Sequence, residues 1–138
     1  MPEIEISESE YCAFQKARNI LSNALEIEEK YEIVISNYLD FEQEILIATT
    51  KYMIREHLDY SDFFKVRLGF NIKLVNLLTA IRLYVDQLNQ NVTECLSGNK
   101  KNKDDVKKLF SKEYDENLYY RFMEALRNYV QHRGIPVH

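Results

Sequence analysis

The chain has 138 residues, 46% apolar and 29% charged, with a formal net charge of −4, three glycines and two prolines. So few helix breakers in a chain long enough to bury a core favour an all-α fold, and the acidic balance argues against a general nucleic-acid coat protein. The longest uninterrupted apolar runs, such as ILIA at 45–48, are short for a bilayer span, and the acidic start MPEIEISESE is unlike a secretion signal. A cytoplasmic protein without membrane contact is therefore expected.

The two cysteines, Cys12 and Cys95, stand apart, with no CxxC pattern and no neighbouring histidine. This pattern predicts buried free thiols and argues against disulfide or zinc ligation. Neither a metal nor another cofactor is expected.

The first half of the chain predicts two helices that are either separate or joined at a kink. Ser7 and Glu10 have the spacing of a capping box and predict a helix start near residue 8. Apolar residues at three- and four-residue steps carry this helix to about residue 29, and the pattern resumes over 33–53.

A break is predicted at 57–62, with Asp59 or Ser61 capping a helix over about 62–96. That helix is apolar around most of its circumference, which predicts a central position, and Gly69 predicts a bend or a close helix contact. After a second break at 97–103, Asn102 and Asp105 are expected to cap a short helix over 104–111.

The last helix is predicted to start near Asp115 and to end at Gly134 in the left-handed conformation, just before Pro136. A helical wheel predicts a core face and, beside it, a polar face. The core face comprises Leu118, Phe122, Ala125, Leu126 and Tyr129, and the polar face comprises Arg121, Glu124, Asn128 and Gln131. Four or five helices pack most simply as one antiparallel bundle over 1–138, and the ending GIPVH predicts that the natural chain continues beyond His138.

The stretch RNYVQH at 127–132 combines groups suited to phosphodiester chemistry. Arg127 and His132 differ by about 140° on an ideal helix, so they flank the polar face that holds Asn128. Arginine offers a planar fork for phosphorane oxygens, histidine transfers protons near neutral pH, and asparagine can orient a phosphate or a water. Residues 98–138 hold nine Lys or Arg against six Asp or Glu, whereas residues 1–97 hold nine against sixteen.

An arginine, a polar residue and a histidine at this spacing, near the end of the last helix of an all-α chain, resemble the signature of the HEPN superfamily. The stretch NLLTAIRLYVDQ at 76–87 also resembles the long central helix of uncharacterised bacterial members. The resemblance implies an HEPN-like bundle and a metal-independent endoribonuclease with Arg127, Asn128 and His132 as catalytic residues. It also implies products with 2′,3′-cyclic phosphate and 5′-hydroxyl ends, and a role as a toxin or phage-defence effector. The implied partners are RNA, a second copy that completes a composite site, and an antitoxin or regulatory protein.

Simpler interpretations stay open at this point. Arg127 alone fits a surface salt bridge with Glu124, and His132 alone fits a cation at a helix C-terminus. The whole chain fits a non-catalytic HEPN-like module that binds RNA or a nucleotide or mediates dimerisation, or a scaffold for a protein partner. Arg82 and Asp86 are predicted to form a buried ion pair or a dimer contact, and for Tyr119 and Tyr120 packing is favoured over stacking on a base.

Overall fold

The computed structural model describes residues 5–54, 59–96 and 100–137, and these residues form four α-helices and no strand. They are α1 (Glu8–Ile54), α2 (Tyr60–Cys95), α3 (Lys100–Glu116) and α4 (Leu118–His132). The prediction of an all-α fold is confirmed for this part of the chain. Of the two predicted breaks, residues 57–58 and 97–99 lie outside the described residues.

The capping box at the start of α1 is confirmed. The Ser7 backbone N–H and hydroxyl donate to Glu10 Oε2 at 2.8 and 2.7 Å, and the Glu10 N–H donates back to Ser7 Oγ at 3.3 Å. These bonds, the one from the Ser7 N–H foremost, lower the pKa of the Glu10 carboxyl. Of the two predicted alternatives, two separate helices are wrong, because α1 is one continuous helix of 47 residues. The segment EIEEKYE at 26–32 contains no glycine or proline and is rich in strong helix formers.

Helix α2 begins at the predicted cap, since Asp59 Oδ1 accepts a hydrogen bond from the Asp62 N–H at 2.8 Å. It runs for 36 residues and returns antiparallel along α1. Two contacts show the antiparallel direction. The Ile20 carbonyl accepts from the Cys95 thiol, and Asp40, later on α1, pairs with Lys73, earlier on α2. The two helices therefore form a long hairpin.

Apolar layers hold this hairpin together. The rings of Tyr31 and Tyr84 lie 6.0 Å apart, and those of Phe41 and Phe70 lie 6.1 Å apart in an edge-to-face arrangement. Leu77 sits between Phe70 and Tyr84 at seven-residue steps, faces α1 with them and is only 5% exposed. Gly69 lies so close to Glu44 that an added Cβ would be 2.5 Å from Glu44 Oε1, which confirms the predicted close contact.

One polar layer interrupts the apolar interface near the open end of the hairpin. The buried Asn91 amide donates to Glu26 Oε2 at 2.8 Å and accepts from Lys30 Nζ at 3.0 Å. The Asn91 amide foremost, and then the Lys30 ammonium, lower the pKa of the Glu26 carboxyl. A buried polar layer of this kind fixes the register of two helices, since a shift would leave these groups without partners.

The third and fourth helices form an arm along α2, on a different side of it from α1. Helix α3 is longer than predicted and begins before the cap predicted at Asn102, whose side chain lies outside the described part of the structure. The cap of α4 is Asn117, whose Oδ1 accepts from the Tyr119 and Tyr120 N–H groups at 2.9 and 3.2 Å. Among the described residues, α1 contacts α2 but neither α3 nor α4. The four helices therefore leave one flank of α1 uncovered.

The end of α4 differs from the prediction in one respect. The Arg133 and Gly134 N–H groups both donate to the Tyr129 carbonyl, at 2.8 and 3.3 Å, and close the helix. Gly134 does not adopt the left-handed conformation, so that expectation is wrong. Asn71 of α2, only 3% exposed, donates to the Val137 carbonyl at 2.9 Å and accepts from its N–H at 3.0 Å. This clamp holds the segment after α4 against α2 without a left-handed turn.

Helix α2 is long and apolar enough to cross a membrane by length and composition alone. Because Lys73 and Arg82 interrupt its apolar stretch, no long uninterrupted apolar run marks this helix in the sequence. The central helix of a soluble protein passes the same test, and α2 contacts all three other helices and carries buried Asn71 and Asn91. This single helix is therefore compatible with a soluble protein.

Candidate functional site

Helix α4 is rotated relative to the prediction. Of its predicted core face, Leu118 is 66% exposed, Phe122 60% and Tyr129 44%. The residues turned towards α2 and α3 are instead half-buried and chemically mixed, namely Tyr120, Met123, Glu124, Leu126, Arg127 and Val130. The predicted core face is therefore wrong for all but Leu126, and α4 presents an apolar face outwards.

The ion pair between α2 and α4 explains this rotation. Arg82 Nη1 lies 3.2 Å from Glu124 Oε1, and Arg82 Nη2 lies 2.8 Å from Asp86 Oδ1. The predicted ion pair of Arg82 with Asp86 forms, but it is not buried, because the Arg82 side chain is 36% exposed and the Asp86 side chain 51%. The Arg82 Nε is nevertheless a buried atom without a hydrogen-bond partner. Because Glu124 is engaged by Arg82, it does not pair with Arg127.

Two of the three proposed catalytic residues contact each other. Arg127 Nη1 donates to Asn128 Oδ1 at 2.9 Å. Arg127 is half-buried and Asn128 is exposed, so the bond holds the guanidinium at the boundary between the helix packing and the solvent. A guanidinium fixed in this way keeps its other N–H donors for an anion.

His132 is the last residue of α4 and is exposed. Within residues 5–54, 59–96 and 100–137 its ring makes no hydrogen bond or ion pair. Arg127 and His132 lie on different sides of the helix, about 140° apart for an ideal helix. One chain thus joins Arg127 to Asn128 and leaves the imidazole apart from them.

The neighbouring tyrosines divide into two kinds. Tyr120 is half-buried and packs edge-to-face on Tyr114, with ring centroids 6.4 Å apart, as predicted. Burial foremost, and then the carboxylate of Glu124, raise the pKa of its phenol. Tyr119 is 80% exposed, so the packing expected for it is wrong. Its ring is available to a ligand or a partner.

The larger cavities lie away from Arg127, Asn128 and His132. A cavity of 570 Å³ opens where α1 ends and α2 begins, with an apolar lining that includes Tyr52, Phe63, Val66 and Phe70. A second, of 450 Å³, lies between α2, α3 and α4 and is lined by Arg82, Tyr114, Tyr120 and Glu124 among others. Neither cavity was predicted from the sequence, although the aromatic residues on both sides of the break at 57–62 were a signal for the cavity between α1 and α2.

The cysteines are free, but they are not both buried. Cys12 is exposed, which corrects the prediction, while Cys95 is half-buried and its thiol contacts the Ile20 carbonyl oxygen at 3.6 Å. Among the described residues, no group of three or more His, Cys, Asp or Glu side chains is arranged to hold a metal ion.

No family model matches the chain, and no curated protein or solved structure matches it either.

Proposed function

We propose that this protein is a cytoplasmic, metal-independent endoribonuclease of the HEPN type, with its site at the end of α4. The observation that supports this most directly is the solvent-exposed hydrogen bond from the Arg127 guanidinium to Asn128, with the exposed His132 five residues after Arg127. A guanidinium fork, an amide and an imidazole are the groups that phosphodiester transesterification requires.

The reaction uses the RNA as its own nucleophile. The ribose 2′-oxygen attacks the adjacent phosphorus and loses its proton to a base, while the bond from phosphorus to the 5′-oxygen breaks and that oxygen gains a proton from an acid. The products carry a 2′,3′-cyclic phosphate and a 5′-hydroxyl. Arg127 stabilises the negative charge that develops on the phosphorane oxygens, and Asn128 orients the phosphate or a water. His132 transfers the protons.

The charge distribution supports an anionic substrate at this end of the chain. Residues 98–138 carry nine Lys or Arg against six Asp or Glu, although the whole chain has a net charge of −4. The arginines of α4 attract the RNA backbone at the site, whereas the lysines belong to α3, where Lys103 lies beside Asn89 and Thr93 of α2, and the acidic α1 repels the backbone. The protein then acts as a toxin or phage-defence effector that an antitoxin or regulatory protein restrains.

One chain offers an acid–base group on one side of α4 and the guanidinium on another, so we propose a composite site between two copies. A two-fold axis across the polar face of α4 sets the helices antiparallel and brings Arg127 of one copy towards His132 of the other. Both Asn128 side chains then line one cleft, and the two histidines supply an acid and a base.

The test is incubation of purified protein with total RNA and a chelator between pH 5 and 8. His132→Ala and Arg127→Ala should each lower the cleavage rate by about 10² or more. Lys107→Ala removes an exposed cation from α3, outside the polar face of α4, and serves as the control, with a loss below about threefold. Equal rates for wild type and both site variants, after contaminating nuclease is excluded, end the catalytic proposal.

The composite site has its own readout. Arg127→Ala and His132→Ala chains, mixed and renatured together, form hybrid dimers with one complete pair across the axis. Those hybrids should recover part of the activity that each variant lacks alone. Inert hybrids beside an active wild type would place the whole site within one chain.

A second candidate function is a non-catalytic HEPN-like module that binds RNA or mediates dimerisation. The outward apolar face of α4, with Leu118 and Phe122 each at least 60% exposed, favours an interaction surface on this helix. This candidate predicts no cleavage at any pH, together with RNA retention or self-association that the Phe122→Ser variant weakens.

A further inference from the structure

The four helices expose far more surface than a compact chain of this size. The accessible surface is 10886 Å² for a chain of 16.5 kDa. A compact monomer of that mass exposes about 7,500 Å², so the excess is about 3,300 Å². Obligate interfaces bury about 2,000–5,000 Å² over both partners, so the excess on one chain is enough for at least one such interface.

Much of the excess lies along one side of α1. Large apolar side chains that are more than half exposed recur there over residues 11–46: Tyr11, Phe14, Leu21, Leu25, Leu39 and Leu46. Positions 11, 14, 18, 21, 25, 28, 32 and 35 alternate steps of three and four residues, which is the spacing of a coiled-coil seam. We call positions 11–35 of this series the outer stripe of α1.

Most of this stripe is exposed; only Ile35, at its end, is half-buried. Helix α2 contacts another side of α1, which includes Ile20, Tyr31 and Phe41. Neither α3 nor α4 contacts α1. A seam of this length needs a helix of similar length opposite it, and α1 itself is such a helix.

We infer that the outer stripe of α1 packs antiparallel against the same stripe of a second copy. A two-fold axis midway between Leu21 and Leu25 sets Leu21 of each copy opposite Leu25 of the other. The same register sets Arg18, the only cation of the stripe, opposite Glu28 of the second copy, and does so twice. Each ion pair then has the Leu21–Leu25 layer on one side and a mixed layer of Phe14 and Glu32 on the other, beyond which Tyr11 lies opposite Ile35.

The charged positions select this register among the alternatives. A longer overlap that sets Arg18 opposite Glu42 also sets Glu28 opposite Glu32 of the second copy, twice. Like charges facing each other in a seam are destabilising, whereas the register centred between Leu21 and Leu25 pairs opposite charges. The charges of the stripe therefore favour a second copy of the chain in the register centred between Leu21 and Leu25.

This association is separate from the composite site proposed on α4, because the two surfaces belong to different helices. If both form, two different two-fold contacts on one chain build a tetramer when they close. The α1 contact is recognised by a halving of the assembly mass when it is lost, whatever the mass of the wild type.

The experiment is sedimentation of wild type and charge-reversal variants at micromolar concentration. Arg18→Glu and Glu28→Arg should each halve the assembly mass and weaken the association at least about tenfold. The double variant Arg18→Glu/Glu28→Arg should restore it to within about threefold of wild type. Lys16→Glu, an exposed change on α1 outside the stripe, should leave the mass unchanged.

A circular-dichroism melt of each variant checks the fold, which should survive the changes at Lys16, Arg18 and Glu28 because these side chains are exposed, whereas Glu42 is half-buried. A monomeric wild type, or an Arg18→Glu variant with the wild-type mass, overturns the proposal. Restoration by Arg18→Glu/Glu42→Arg in place of the Glu28 pair overturns the register and with it the inferred contact.

Discussion

Helix α2 contacts α1 on one side and α4 on another, and different interactions hold the two contacts together. On one side α1 meets it through ring pairs and aliphatic layers, such as Tyr31 with Tyr84 and Phe41 with Phe70. On the other side the contacts of α4 and the segment after it include the Arg82–Glu124 ion pair and the Asn71 clamp on Val137. The first contact is extensive and non-directional, and the second is small and directional.

This difference explains why α4 carries exposed apolar residues. A hydrophobic interface alone would turn Leu118 and Phe122 towards α2, because burial is the dominant favourable term. The ion pair and the clamp act only at certain angles, and they fix the rotation of α4 with its mixed face inwards. We therefore expect the hairpin to contribute most of the stability.

The largest expected effect breaks the hairpin side of this comparison. Leu77→Ala should lower the free energy of unfolding by about 2–5 kcal/mol, because it leaves a cavity between α1 and α2. Leu83→Ala, on the same helix but 39% exposed, should cost less than about 1 kcal/mol. Urea unfolding followed by circular dichroism measures both. Equal losses for the two variants would show that the α1–α2 interface does not dominate stability.

An intermediate effect breaks the arm. Glu124→Ala leaves the half-buried Arg82 with Asp86 alone, and should cost about 1–3 kcal/mol. The matched control is Glu116→Ala, whose partner Lys112 lies 3.8 Å away in an exposed pair that contributes at most about 1 kcal/mol. Hydrogen exchange should then quicken in α4 and remain slow in α1 and α2. Uniform quickening over all four helices would mean that the arm and the hairpin unfold as one unit.

The same contrast separates what the sequence predicts from what it cannot. The capping box at Ser7, the cap at Asp59 and the close approach at Gly69 were all predicted correctly, because each is a local signal. The rotation of α4 was not, because Arg82 and Glu124 lie 42 residues apart and a helical wheel weighs only apolarity. The continuity of α1 was left open because the apolar pattern is interrupted near residue 29. A weak interruption does not end a helix that is rich in strong helix formers.

Helix geometry alone predicts that Arg127 and His132 flank the polar face that holds Asn128. The hydrogen bond between Arg127 and Asn128 was not predicted, because it depends on the rotamers of two neighbouring side chains. What lies opposite these side chains depends on a second surface, and one chain's periodicity carries no signal for it. For that reason the composite site and the outer stripe of α1 are both proposals about a partner copy.

The smallest effect sharpens the comparison from within the hairpin, at its one polar layer. The Asn91 amide and Lys30 lower the pKa of the half-exposed Glu26 carboxyl, so its ionised form is favoured in the folded state. A depressed folded pKa contributes stability that is fully present above the unfolded pKa, about 4.3, and is lost as pH falls through the lower folded value. The melting temperature of wild type should therefore exceed that of Glu26→Gln at pH 7, and the gap should narrow below about pH 4.

Thermal melts from pH 7 to 3 measure the gap, with Glu29→Gln as an exposed control on the same turn that shows a smaller pH-dependent gap. A difference in melting temperature that stays constant across that range would mean that the shape of the side chain at position 26, and not its charge, matters for the contact with Asn91.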